Sequence, residues 1–199
     1  MPSSEDRDQL RSLLCQHSVR FGEFKLVSGQ TSDVYVDSKL TTYRAAAIPL
    51  VGRLFLRKFA ERGWRPAAVG GLTLGADPIA LAIARESLEA GTPMDAFVVR
   101  KESKKHGTMK FVEGLPSTEG IPVVILDDVC TTGGSTVTAI ERAREAGMNV
   151  LGAVCLVDRQ MGAAESLAAL NCPFDSIFTL AELKQSGAEP ALASGKNLP

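Results

Sequence analysis

Apolar and polar positions along the chain follow two rhythms, and the change comes near Gly63. Ser4 precedes Asp6 and Asp8, and Leu10, Leu13 and Leu14 follow, which predicts a capped amphipathic helix to about Ser18. FGEFKLVSGQTSDVYVDSKL, from residue 21, alternates apolar and polar residues around a Ser-Gly turn and reads as a β-hairpin. Arg44 to Arg62 is rich in alanine and leucine at helical spacing, with Pro49 near its first turn and Gly63 as a stop. Beyond it, short aliphatic strands alternate with amphipathic helices. AAVGG leads to LGADPIALAIARESL, and DAFVVR leads to a polar loop. VVILDD leads to TTGGSTVTAIERAREAG, and VLGAVCLVD leads to GAAESLAALN, with FDSIFTL as a last strand. Strands that are aliphatic throughout require cover on both faces, so the pattern predicts an α/β fold with a central parallel sheet flanked by helices. A small N-terminal helix and hairpin occupy residues 1–43, the α/β core 44–184, and a polar, loose tail 185–199.

Composition narrows the function without choosing it. The 199 residues are 45% hydrophobic and 23% charged, enough for one sizeable core. A formal net charge of −1 gives no global pull toward nucleic acid or acidic membranes, so any anion site must be a local cluster. Cys15, Cys130, Cys155 and Cys172 are far apart and form no metal or redox spacing, which predicts free thiols in a reducing compartment. The polar, acidic start MPSSEDRDQL is unlike a signal peptide, and no apolar run approaches the roughly 20 residues of a membrane span. The expectation is a cytoplasmic protein that binds neither membrane nor nucleic acid.

The candidate chemistry begins at VVILDDVCTTGGST, residues 123–136. In a doubly wound sheet, ligands gather outside the carboxyl ends of the strands. The aliphatic run delivers Asp127 and Asp128 there. The turn after them can wrap backbone N–H groups around an anion at a helix start, with Gly133 and Gly134 permitting close approach. Thr131, Thr132, Ser135 and Thr136 add hydroxyl donors. A phosphate monoester suits the loop, and the carboxylates suit sugar hydroxyls or a magnesium ion held partly through water. Together they point to a ribose 5-phosphate. Neither a Walker A loop nor a dinucleotide turn is present.

The whole string, Asp127, Asp128, Val129, Cys130, Thr131, Thr132, Gly133, Gly134 and Ser135, resembles the 5-phosphoribosyl-1-pyrophosphate (PRPP) signature of type I phosphoribosyltransferases. That resemblance implies the fold of the family and a PRPP donor, and leaves the acceptor base open.

Two further segments bear on the acceptor. RKESKKHGTMK, residues 100–110, holds five positive charges and one negative and lacks apolar periodicity. Such a loop inside a compact domain is commonly a functional lid, and its cations could neutralise a departing pyrophosphate. In LVDRQMGAAE, Arg159 follows a strand end, where its planar fork can match a carboxylate. The first segment closely resembles the R-K-x-x-K-x-H-G catalytic loop of the orotate phosphoribosyltransferase family, at Arg100, Lys101, Lys104, His106 and Gly107. The V-D-R of the second resembles the segment in which that family sets an arginine against orotate, with Thr131 also on the base. FGEFKLVSG and YVD resemble the family's hood over the base, and GGLTLGADPIA its pyrophosphate-facing loop, so the likeness spans roughly residues 5–180.

The resemblance implies transfer of a phosphoribosyl group from PRPP to orotate in UMP synthesis, with Mg²⁺ bound mainly through PRPP and reached by Asp127 and Asp128 through water. Lys101, Lys104, His106, Asp127 and Asp128 would carry the chemistry, with Arg100 anchoring pyrophosphate. It also implies a homodimer whose loops reach into the neighbouring subunit's site. Two positions depart from the family. Val27 stands where many members have a lysine, and Lys25, two residues earlier on the same face of a strand, is the candidate substitute. Leu74 stands where many carry a pyrophosphate-contacting lysine, and Lys39 is a candidate to compensate. A purine phosphoribosyltransferase would share the PRPP signature but lack the basic loop and Arg159. A non-enzymatic PRPP-sensing regulator would need a basic face or a helix-turn-helix extension.

Overall fold

A computed structural model of the chain describes residues 4–25, 31–102 and 111–186. Helix α1 (Ser4–His17) is followed by strands β1 (Val19–Lys25) and β2 (Thr31–Val36), and then by the short α2 (Lys39–Thr42) and α3 (Ile48–Glu61). The core alternates β3 (Ala68–Leu72), α4 (Asp77–Glu89), β4 (Asp95–Val99), β5 (Val112–Glu113), β6 (Pro122–Cys130) and α5 (Gly134–Glu145). It closes with β7 (Asn149–Asp158), α6 (Ala163–Ala168), β8 (Phe174–Thr179) and α7 (Leu180–Ser186). The hairpin β1–β2 is a separate antiparallel sheet, and the main sheet has the order β5-β4-β3-β6-β7-β8. All its neighbours are parallel except β4–β5.

Four elements differ from the pattern, among them the four-residue α2, whose Lys39 and Leu40 read as the end of the hairpin. The predicted 44–62 helix starts at Ile48, because Pro49 in the first turn sets where a helix can begin. Residues 43–47 form turns, with Arg44 N–H donating to Thr41 and Ala47 N–H to Arg44. The two-residue β5 and the closing helix α7 carry too little periodicity to be read from sequence. Ion pairs fasten the N-terminal helix down: Arg53 forks onto Asp6 at 2.7 and 3.0 Å, and Arg7 reaches Glu182 on α7 at 2.7 Å.

Alternation along β6 divides the core. Val124 and Leu126 pack with α1, α3 and α4 on one face, while Val123 and Ile125 pack with α5 and α6 on the other. Strand β3 connects to β4 on one side, and the chain then crosses to β6 on the other. The switch point therefore lies between the carboxyl ends of β3 and β6, where two diverging loops leave a crevice. Among the described residues no helix is long and apolar enough to cross a membrane.

Candidate active site

A cleft of about 260 Å³ occupies that switch point. Its walls are the loop after β3, with Thr73, Leu74 and Gly75, and the end of β6, with Asp127, Asp128 and Ser135. Lys39 and Lys101 complete the lining with two cations.

The adjacent acids face opposite ways, as their parity on β6 requires. Asp127 continues the α5 side and is only 7% exposed. Its carboxylate accepts hydrogen bonds from the Thr136 hydroxyl at 2.7 Å and the Asp128 N–H at 2.9 Å. Burial raises its pKa from 3.8 to about 6, the Thr136 bond opposing that rise and the neighbouring Asp128 charge adding to it. Asp128 turns to the other face, where the fully buried Ser38 hydroxyl donates to it at 2.5 Å. Gly75 passes so close that a Cβ there would stand 2.4 Å from the Asp128 carboxylate, so only glycine fits against this rotamer. Thr136 is a correction: its hydroxyl points inward to Asp127 and does not join the outer hydroxyls of the loop. The Cys130 thiol is likewise buried against Thr136 and Asp127, which leaves only its backbone for a ligand.

The turn from Thr131 to Ser135 is shaped as an anion cradle. Gly133 holds φ +83° at the N-cap of α5, a left-handed conformation that glycine adopts without strain, and no side chain caps the helix start. Thr132, Gly134 and Ser135 are exposed and Thr131 is half-buried. The Ser166 hydroxyl donates to the Thr132 carbonyl at 2.8 Å, bracing the turn from α6.

Arg159 lies beyond β7 and leans on the hood. Its Nη2 donates to the Ser32 hydroxyl at 3.0 Å and to the Val34 carbonyl at 3.4 Å, while among the described residues its buried Nε has no hydrogen-bond partner. A buried donor left open is costly, and a carboxylate taking Nε and Nη2 together would satisfy it. The Arg159 N–H bonds the Cys130 carbonyl at 2.9 Å, so this strand end abuts the one that supplies Thr131.

Lys101 lines this chain's own cleft, and Arg100 pairs with Glu113 on β5 at 3.1 Å. Lys104, His106 and Gly107 lie outside the described residues, as does Val27. Lys25 pairs with Thr31 at the end of β1. Lys39 bridges Asp37 at 3.0 Å; that bond, with Asp128 nearby, raises its pKa and keeps it cationic. Ser38, Gly75 and Thr136's inward role carry no sequence motif, since each is defined by contact with an acid distant in the chain or across a turn. Among the described residues no three His, Cys, Asp or Glu gather to cage a metal. The all-oxygen donor set of Asp128 and Ser135 fits a magnesium ion that arrives on a phosphorylated ligand and keeps its water.

Comparisons with known proteins agree with this fold. The family model described as the phosphoribosyl transferase domain matches residues 41–180. An orotate phosphoribosyltransferase of Thermosynechococcus vestitus is 46% identical over 178 residues, 89% of this chain and 93% of that one. One from Corynebacterium glutamicum is 42% identical over 181 residues, 91% and 95% of the two chains. The crystal structure of the Mycobacterium tuberculosis orotate phosphoribosyltransferase in complex with PRPP superposes with a TM-score of 0.76 at 38% identity, covering 90% of this chain and 99% of that one. The chain belongs to the phosphoribosyltransferase family, among the orotate phosphoribosyltransferases.

Proposed function

We propose that the switch-point cleft joins orotate to PRPP, giving orotidine 5′-phosphate and pyrophosphate in de novo pyrimidine synthesis. The observation that carries the choice of orotate is Arg159, whose Nη2 and open, buried Nε form a fork at the hood. The relatives named orotate phosphoribosyltransferase and the related structure holding PRPP support the same reading. The 5′-phosphate sits in the Thr131–Ser135 cradle, bound by N–H groups at the start of α5. Breaking C1–O leaves positive charge on the ribose, and Asp128, aimed into the cleft by Ser38, stabilises it electrostatically. Asp127 supports the turn from beneath. Lys101 and Lys39 neutralise the departing pyrophosphate, with Arg100, Lys104 and His106 added from the basic loop. Magnesium, when bound with PRPP, neutralises phosphate oxygens and favours their departure. Arg159 and Thr131 orient orotate so that its ring nitrogen faces C1, and Lys25, on the hood strand β1, is the candidate to assist them.

The test is orotate consumption followed spectrophotometrically with PRPP and Mg²⁺, beside uracil, adenine and hypoxanthine. Turnover of orotate alone is expected; turnover of a purine without orotate would overturn the reading. The four free thiols support a cytoplasmic setting.

Lys39 stands where it can replace the family lysine absent at Leu74. Lys39→Ala is expected to raise the PRPP KM by about tenfold, the worth of one phosphate ion pair, and to leave the orotate KM unchanged. Adding Leu74→Lys should restore much of the loss, and no recovery would count against the substitution.

The loop cations divide between two subunits of a homodimer. Lys101 serves its own cleft, whereas Lys104 is lent to the partner. Mixing Lys104→Ala with Asp128→Asn subunits should regenerate roughly a quarter of wild-type activity, since random pairing makes about half hybrids with one intact site each. Lys101→Ala mixed with Asp128→Asn should recover nothing, because both belong to one cleft. Equal behaviour of the two mixtures would defeat the division.

A further inference from the structure

The basic loop leaves the sheet on a very short stem. Arg100 N–H donates to the Phe111 carbonyl at 2.9 Å, and Val99 and Val98 then pair with Val112 and Glu113. A ladder of two residues at a sheet edge is too short to fix the direction of what it carries. Further constraint comes from the Arg100–Glu113 ion pair across the stem, exposed to solvent in part, and from helix α5. Arg142 places its guanidinium 4.1 Å from the centre of the Phe111 ring and donates from Nη1 to the Arg100 carbonyl. One side chain thus grips both feet of the stem. The carbonyl it holds belongs to the peptide bond that leads into Lys101, a residue of the cleft wall. The same helix begins at Gly133 and Gly134, in the anion cradle.

We infer that Arg142 is a positioning residue for the transfer reaction: it fixes the backbone of Lys101 relative to the cradle at the start of α5. The inference rests on the orotate and PRPP reading above. Arg142 lies at the far end of α5 from the cradle and acts through the stem, not on the substrate. Its stacking on Phe111 sets the angle of the stem, and its bond to the Arg100 carbonyl sets the height at which Lys101 departs. A small displacement of a charged group at a reacting centre costs rate more than it costs binding.

The neighbouring Arg144 supplies a matched control. It lies on the same helix and donates to the Leu170 carbonyl at 2.9 Å, away from the stem. Arg142→Ala is expected to lower kcat by about tenfold while the orotate KM stays within about twofold. Arg144→Ala should keep wild-type kcat, with a comparable loss of Tm. Phe111→Leu should repeat the kinetic change, and the double variant should lose little more than either single one, as residues acting through one contact do. The inference is overturned if Arg142→Ala keeps wild-type kcat, if Arg144→Ala lowers it equally, or if the Arg142 and Phe111 losses add in full. Should Arg142→Ala fail to fold, Phe111→Leu against Arg144→Ala decides the matter. Wild-type turnover of orotate is measured first. Its absence would overturn the reaction assignment, whereas an active wild type with a silent Arg142 would overturn this inference alone.

Discussion

Arg159→Ala is expected to raise the orotate KM by about 100-fold, while PRPP binding to the free enzyme stays close to wild type. A charge-assisted fork onto a carboxylate contributes roughly 3 kcal/mol, and each 1.4 kcal/mol is about a factor of ten. The size of the effect follows from where the guanidinium sits. Nη2 is already held by Ser32 at 3.0 Å, and the buried Nε has no partner among the described residues, so the side chain is oriented before a ligand arrives. Arg159→Lys should recover little, because a single ammonium cannot supply two parallel donors. Steady-state kinetics with orotate varied at saturating PRPP measures the loss, and calorimetry with PRPP and Mg²⁺ checks the other half. An orotate KM left at the wild-type value would remove Arg159 from the base pocket.

The second large effect separates two residues that the sequence presents as a pair. Asp128→Asn should lower kcat by about two orders of magnitude, the scale of one preorganised group acting on developing charge. Asp127→Asn should show its effect chiefly in stability, and that effect depends on pH. Burial raises the Asp127 pKa from 3.8 to about 6. The folded state therefore holds this proton more tightly than the unfolded chain. Its contribution is full below about pH 4 and is lost as pH rises through about 6, a span of roughly 3 kcal/mol. Whatever constant offset asparagine brings, the variant's stability relative to wild type should climb between pH 4 and pH 7. Denaturant titrations across that range read the slope. A difference that stays flat with pH would mean that burial does not govern this carboxyl, and equal kcat losses in the two variants would defeat the division of roles.

Much of the fold was legible in the chain because it depends on local periodicity. Aliphatic runs between amphipathic helices require a covered parallel sheet, and β3, β4, β6, β7 and β8 form one. Helix α3 starts four residues later than the pattern predicts, because a proline is tolerated only in the first turn of a helix and Pro49 therefore fixes where α3 begins. Strand β5 has no signature in the sequence, because two residues have no period. It exists through the ladder to β4 and the grip of Arg142 on Phe111.

The sequence by itself determined the classes of group that the site would contain: two acids, a glycine- and hydroxyl-rich turn, and a basic loop. Those are properties of composition and spacing within one segment, set before any long-range contact forms. Only the tertiary structure decided what each group faces. The side-chain period of two on β6 turns Asp127 toward Thr136 and Asp128 toward Ser38 and Gly75, which are distant in the chain except for Thr136. Lys39 reaches the cleft because α2 follows the hood hairpin onto the β3–β6 edge. The role of Arg142 is likewise set by tertiary contact: its partners, Arg100 and Phe111, lie across the fold from α5. A motif records which side chains leave one stretch of backbone, while the direction in which they work is fixed by the elements packed around it.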